Sequence, residues 1–62
     1  MNFVITLFVD RQPLRVLVKA VPGGFRAKTL DAGLPVERTA PTFNGAIDLV
    51  VSAAAYRMAD VA

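Results

Sequence analysis

The chain lacks both cysteine and histidine, which removes much of the chemistry available to a small protein. Without cysteine it forms no disulfide and has no thiolate nucleophile, and without histidine it lacks the commonest general base and metal ligand. Five acidic residues remain, and they fall on different predicted elements: Asp10, Asp31, Glu37, Asp48 and Asp60. The sequence therefore predicts no catalytic residue, no metal site, no cofactor and no enzymatic activity. The enzymatic alternative requires a folded pocket that gathers at least two of these acids.

The chain is also short of residues from which to build a core. Its 62 residues fall below the length at which chains divide, so residues 1–62 are predicted to form a single domain. A 6.6 kDa chain exposes roughly 9,600 Å² when unfolded and roughly 3,900 Å² when folded, which is marginal burial. Chains of this size usually gain stability from disulfides, a metal or a partner subunit. Because the residues for the first two are missing, we predict a homodimer.

Long apolar runs and a basic leader segment are absent as well. Met1 leads directly into a strand pattern, and the least polar stretch, Gly45 to Met58, is interrupted by Asp48 and Arg57. That stretch is too short to cross a bilayer. We therefore expect a cytoplasmic protein without membrane contact, and the 55% hydrophobic and 19% charged residues are typical of a folded chain.

Four stretches have the composition or alternation of β-strands: Phe3–Val9, Leu14–Val21, Phe25–Leu30 and Leu34–Thr39. The first is apolar on both faces, which predicts a strand that is covered twice or lies at an interface. The second and third flank a turn at Pro22, Gly23 and Gly24 and are expected to form a hairpin. The fourth is expected at a sheet edge because Pro35 has no N–H to donate. Alternation assigns four residues of the second strand to the core face: Leu14, Val16, Val18 and Ala20.

The last third of the chain predicts one long helix. Pro41 disfavours helical dihedrals at Ala40, and Thr42 can cap the following amides, so the helix is expected from Thr42 to about Ala59. An apolar stripe at helical spacing is expected to pack on the sheet: Phe43, Ile47, Val50, Ala54, Met58 and Val61. The predicted fold class is therefore α+β, with a three- to four-stranded, mainly antiparallel sheet followed by one C-terminal helix.

Apolar residues continue around the remaining surface of the predicted helix. A helix of this composition is ordinarily buried on more than one side, and in so short a chain the second cover must come from another molecule. We therefore expect the dimer interface to include four helix residues: Leu49, Val51, Ala53 and Tyr56.

Basic residues are concentrated in one part of the chain, with six of the seven between positions 11 and 38. The predicted hairpin is expected to gather Arg15, Lys19, Arg26 and Lys28 on one exposed surface. Such a patch fits contact with an acidic protein or with nucleic-acid phosphates, and it also fits the plain role of keeping strands soluble and unpaired. Phe25, the one aromatic residue in the hairpin, is expected on the core side, which leaves no platform for stacking bases.

The central segment carries three short motifs in a recognisable order: a Gly-aromatic-x-Ala strand, a Leu-Pro turn and a helix-opening Thr box. Eight residues match them: Gly24, Phe25, Ala27, Leu34, Pro35, Thr42, Ala46 and Ile47. In this order the segment resembles the HicB-like antitoxin domain over roughly half of the chain. It departs from that family at Val36, where the family turn has Gly, and at Gly45, where the helix box has Glu. The resemblance implies a sheet packed on one helix and a tendency to dimerise.

These features together favour a non-enzymatic, homodimeric protein-binding module of the antitoxin or small-inhibitor kind. The alternative is a nucleic-acid-binding protein that uses the basic hairpin surface.

Overall fold

The computed structural model describes residues 2–31, 33 and 35–61, with side chains of the helix described up to Arg57. The elements are β1 (Asn2–Val9), β2 (Gln12–Val21), β3 (Gly24–Thr29), β4 (Glu37–Ala40) and α1 (Phe43–Val61). The strands form one antiparallel sheet in the order β1-β2-β3-β4, and α1 packs on one face of it. The predicted α+β fold class is confirmed.

A two-residue turn at Asp10 and Arg11 sets the register of the first hairpin. Their φ angles are 50° and 67°, the left-handed values that a type I′ turn requires at both central positions. This turn fits the right-handed twist of the flanking strands, so β2 begins directly after it at Gln12. The sequence predicts a longer connection ending at Pro13, because Asp-Arg lacks the glycine that usually marks such a turn.

The turn also determines which residues of β1 hydrogen-bond to β2. In a hairpin closed by two residues the first pair, Val9 with Gln12, exchanges both backbone hydrogen bonds, and every second pair repeats the pattern. Phe8 therefore faces Pro13 in a pair without hydrogen bonds. Proline is tolerated there because its missing N–H has no partner to lose.

The core lies between the sheet and α1 and consists of small and medium-sized side chains. Leu14, Val16 and Val18 of β2 are buried, as alternation predicts. The prediction is wrong for Ala20, which is exposed because it lies beside the turn that connects β2 to β3. Up to Arg57, where its described side chains end, the helix contributes three fully buried residues at intervals of four: Ala46, Val50 and Ala54. Ala46 is missing from the predicted stripe, while the side chains of Met58 and Val61 lie outside the described part of the helix.

The start of α1 is fixed by a cap and by an aromatic cluster. The hydroxyl of Thr42 accepts a hydrogen bond from the amide of Gly45 at 3.0 Å, which confirms the predicted cap. Phe43 then makes edge-to-face contacts with Phe3 and Phe25, with ring centroids 5.9 Å and 5.7 Å apart. These contacts join the first turn of the helix to both β1 and β3.

β4 is shorter than predicted and begins at Glu37. Just before it, the amide of Thr29 donates to the carbonyl of Val36 at 2.9 Å, and the amide of Val36 donates to the Thr29 hydroxyl at 3.0 Å. In the Thr29–Val36 pair, the Thr29 hydroxyl therefore takes the place of the Thr29 backbone carbonyl as the acceptor for the Val36 amide. The predicted start at Leu34 lies outside the described residues.

Replacing Arg11 with glycine is expected to stabilise the fold by about 0.5–1 kcal/mol, because glycine adopts positive φ without the steric strain of a Cβ. The measurement is the free energy of unfolding in urea at one fixed protein concentration. The reciprocal change Gly23→Ala, at φ 86° with no atom within 4 Å of the added Cβ, is the control and is expected to destabilise. Loss of stability in Arg11→Gly would contradict the assigned turn.

Replacing Gly24 with alanine is expected to lower the free energy of unfolding by about 1–3 kcal/mol, because the added methyl group has no space. Its Cβ would overlap the carbonyl oxygen of Ala40 and fall 2.9 Å from the Cα of Pro41. These are backbone atoms, so no side chain can move aside. Gly33→Ala, with nothing within 4 Å, is the matched control and is expected to change stability by less than about 0.5 kcal/mol in the same urea titration.

Candidate binding face

The sheet face opposite α1 has no element packed on it within the described part of the chain. Strand alternation and the observed register assign fourteen residues to this surface, here called the open face: Asn2, Val4, Thr6, Phe8, Pro13, Arg15, Leu17, Lys19, Val21, Gly24, Arg26, Lys28, Glu37 and Thr39. Leu17, Val21 and Gly24 are half-buried, and the others are exposed. Four cations and one carboxylate give this face a formal charge of about +3 at neutral pH.

The structure brings the four predicted basic residues onto this one surface. Lys19 lies directly across from Arg26 in the register of β2 with β3, and Lys28 lies across from Leu17. Arg15 lies two residues before Leu17 on the same face of β2, across from Thr6 of β1. Two like charges directly opposite each other repel, so the Lys19–Arg26 pair favours a bound negative group.

A depression of about 160 Å³ lies within the basic part of the open face. It is lined by Leu17, Lys19, Arg26, Lys28 and Glu37. Glu37 lies directly across from Lys28 on the neighbouring strand, where opposite charges stabilise strand pairing. The depression therefore presents one apolar side chain surrounded by charged ones, a combination that suits a polar partner surface better than a small apolar ligand.

Exposed apolar side chains extend the open face beyond the basic residues. Phe8 is 73% exposed and Val4 is 60% exposed, and both lie on the same face as Arg15. Alternation alone puts these two residues on one face of β1, but it does not connect them with the basic patch, because that requires the register of β1 against β2. Phe25 lies half-buried on the helix side, as predicted, so Phe8 is the aromatic residue available to a partner of the open face.

A wider depression of about 430 Å³ lies where β3 leads toward β4. It is lined by Lys28, Thr29, Leu30, Asp31, Pro35, Val36 and Glu37. Two of the five acids, Asp31 and Glu37, therefore share one concave surface, which meets the minimum that carboxylate-based catalysis requires. The hydroxyl of Thr29 is already engaged by the amide of Val36. Among the described residues no group of three potential metal ligands is found.

The helix residues predicted for a dimer interface do not form one surface. Leu49, Ala53 and Tyr56 are spaced four and three apart and lie on one side of α1, whereas Val51 is about 200° around the helix from Leu49. Leu49 is 47% exposed and Tyr56 is 77% exposed, while Val51 and Ala53 are half-buried. The dimer interface on the helix stays a prediction. Of its four residues, Leu49, Ala53 and Tyr56 share one side of α1 and form a continuous apolar surface there.

Among the described residues, no helix combines the length and the hydropathy needed to cross a membrane. Neither a protein-family model nor a curated protein nor a solved structure matches this chain. The HicB-like resemblance consequently stays a hypothesis from the sequence motifs alone.

Proposed function

We propose that this protein is a non-enzymatic, homodimeric binding module whose open face binds an acidic protein, in an antitoxin or small-inhibitor role. The observation that carries the proposal is the combination of exposed Phe8 and Val4 with four cations on one uncovered sheet face. Protein interfaces are enriched in aromatic and arginine side chains. A surface whose charges are mostly positive attracts a negatively charged partner and speeds their encounter. A cytoplasmic location is part of the proposal.

The arrangement of the open face supports recognition of a macromolecular surface. Its depression is bordered by Lys19, Arg26 and Lys28, so a partner carboxylate can approach several cations at once. Phe8 lies at the end of the face, near the Asp10–Arg11 turn, where its ring is available as an apolar anchor. The two acids of the wider depression share it with Lys28, and no described histidine or cysteine accompanies them. Binding therefore explains more of these residues than catalysis does.

Reversing both charges of the Lys19–Arg26 pair, with Lys19→Glu and Arg26→Glu in one variant, is expected to abolish binding of an acidic partner, because two attractive contacts become repulsive. The measurement is capture from a lysate of the source cells on immobilised protein, with bound proteins quantified by mass spectrometry. An acidic protein retained in near-stoichiometric amount by the wild type is expected to be lost from the double variant.

The matched control is Arg57→Glu, a charge reversal at an exposed helix position away from the open face. It is expected to retain the partner. Equal capture by the wild type and the double variant would contradict the proposal, as would loss of the partner from the Arg57 variant alone.

A second candidate function is binding of single-stranded nucleic acid, and the exposure of Phe8 favours it. Phe8 lies diagonally across from Arg15 at one end of the open face, and the other three cations follow toward the opposite end. In proteins that bind single strands, bases stack on an aromatic ring while lysine and arginine contact the phosphates along the same strand. The sequence predicts no such platform, and the 73% exposed ring of Phe8 is the observation that supports this alternative.

If four phosphates are contacted, the affinity for a fluorescent oligothymidylate is expected to fall about fiftyfold between 50 and 200 mM salt, because bound counterions are released. The measurement is fluorescence anisotropy at several salt concentrations. Phe8→Ala is expected to weaken binding at every salt concentration without changing the slope. Absence of binding at 50 mM salt, or a flat salt dependence, would rule out this candidate.

A further inference from the structure

We propose that β1 is the interface for a second copy of this chain, which pairs with it edge to edge to form a continuous eight-stranded sheet. The inference rests on the homodimer of the proposed function and assigns that dimer to a different surface from the predicted helix residues. β1 lies at one edge of the sheet, and its register with β2 runs from Asn2 to Val9 without interruption.

The composition of this edge is unusual for a strand left unpartnered. Natural edge strands are short or carry lysine, proline or a bulge, all of which prevent pairing with other chains. β1 has eight residues, none of them charged and none of them proline. The opposite edge, β4, has four residues, of which two are charged, and shows the usual protection. The two edges therefore differ in the way expected of one interface and one solvent-facing boundary.

The backbone of β1 is oriented to accept another strand. Because Val9 and every second residue before it bond to β2, the N–H and C=O groups of the alternate residues point away from the sheet. These residues are Asn2, Val4, Thr6 and Phe8. An antiparallel copy satisfies all of these groups when a two-fold axis passes through Ile5, since Val4 then faces the partner's Thr6 and Asn2 faces the partner's Phe8.

The same axis also covers apolar side chains on the helix side of the sheet. Ile5 meets the partner's Ile5, and Phe3 meets the partner's Leu7, because opposite residues of paired strands share a face. In the single chain Phe3 is 44% exposed, and Ile5 and Leu7 are only partly buried. The helix side of β1 therefore gains apolar contacts, which accounts for apolar residues that α1 leaves partly exposed there.

Charge favours a second copy on β1 over a second copy on the open face. Two copies cannot stack through their open faces because four cations on each would repel, whereas β1 brings no charge against its own copy.

Thr6→Pro tests the edge with minimal damage to the single chain, because the N–H of Thr6 points outward and takes no part in the β1–β2 ladder. The matched control is Thr39→Pro, which removes an outward N–H from the opposite edge strand at an exposed position of the same open face. The measurement is sedimentation equilibrium at micromolar concentration, with circular dichroism to check folding.

The wild type and Thr39→Pro are expected to sediment at about twice the 6.6 kDa of one chain. Thr6→Pro is expected to weaken the dimer at least about thirtyfold, since two symmetric hydrogen bonds are lost. A folded Thr6→Pro variant that dimerises as tightly as the wild type overturns the edge interface but leaves the homodimer standing. A monomeric wild type overturns the homodimer as well, while binding of an acidic protein by the open face is judged separately by the charge variants.

A second measurement fixes the register and does not depend on proline. The chain has no cysteine, so a single introduced thiol crosslinks only to its copy. Ile5→Cys places two Cα atoms about 4.5 Å apart across the axis, within disulfide range, and is expected to form a covalent dimer on mild oxidation. Leu7→Cys, on the same face, places them about 14 Å apart and is expected to remain uncrosslinked. Equal crosslinking of both variants would overturn the proposed pairing.

Discussion

One helix covering one face of a four-stranded sheet is the constraint from which the rest of this structure follows. A sheet has two faces and two edges, and α1 packs mainly over β3 and β4, with fewer contacts to β2. The fully buried side chains are small or medium-sized, the largest being Leu14, Val16, Val18 and Val50. The free energy of unfolding that such a core provides is small, so apolar surface buried in addition at β1 raises it by a large fraction.

Two tight turns convert this constraint into a defined surface. The Asp10–Arg11 turn fixes β1 against β2, and the Pro22–Gly23 turn fixes β2 against β3, so each side chain is assigned to the core or to the open face. A shift of one residue in either hairpin would exchange the two faces. The juxtaposition of Lys19 with Arg26, and the presence of Phe8 beside Arg15, therefore depend on backbone geometry at the turns.

The strands, the helix, the capping Thr42 and the basic face could be predicted from the sequence because each leaves a local periodic signal. Alternation was sufficient to place Arg15, Lys19, Arg26 and Lys28 on one surface. The Asp10–Arg11 turn could not be predicted, because Arg11 stands where a turn of this type usually has glycine. Without it the register of β1 was undefined, so Phe8 could not be joined to the basic patch. The start of β4 at Glu37 could not be predicted either, since it depends on a contact between Thr29 and Val36, which are seven residues apart.

If a second copy occupies the outer edge of β1, amide hydrogen exchange followed by NMR detects the added strand residue by residue. The outward amides of Val4, Thr6 and Phe8 are the groups that only a partner strand can protect. At concentrations where the dimer forms, we predict that these amides exchange as slowly as those of Ile5 and Leu7, while the amide of Thr39 on the opposite edge exchanges fast. Fast exchange at all three outward positions, beside slow exchange at Ile5 and Leu7, would show that no second strand pairs with β1.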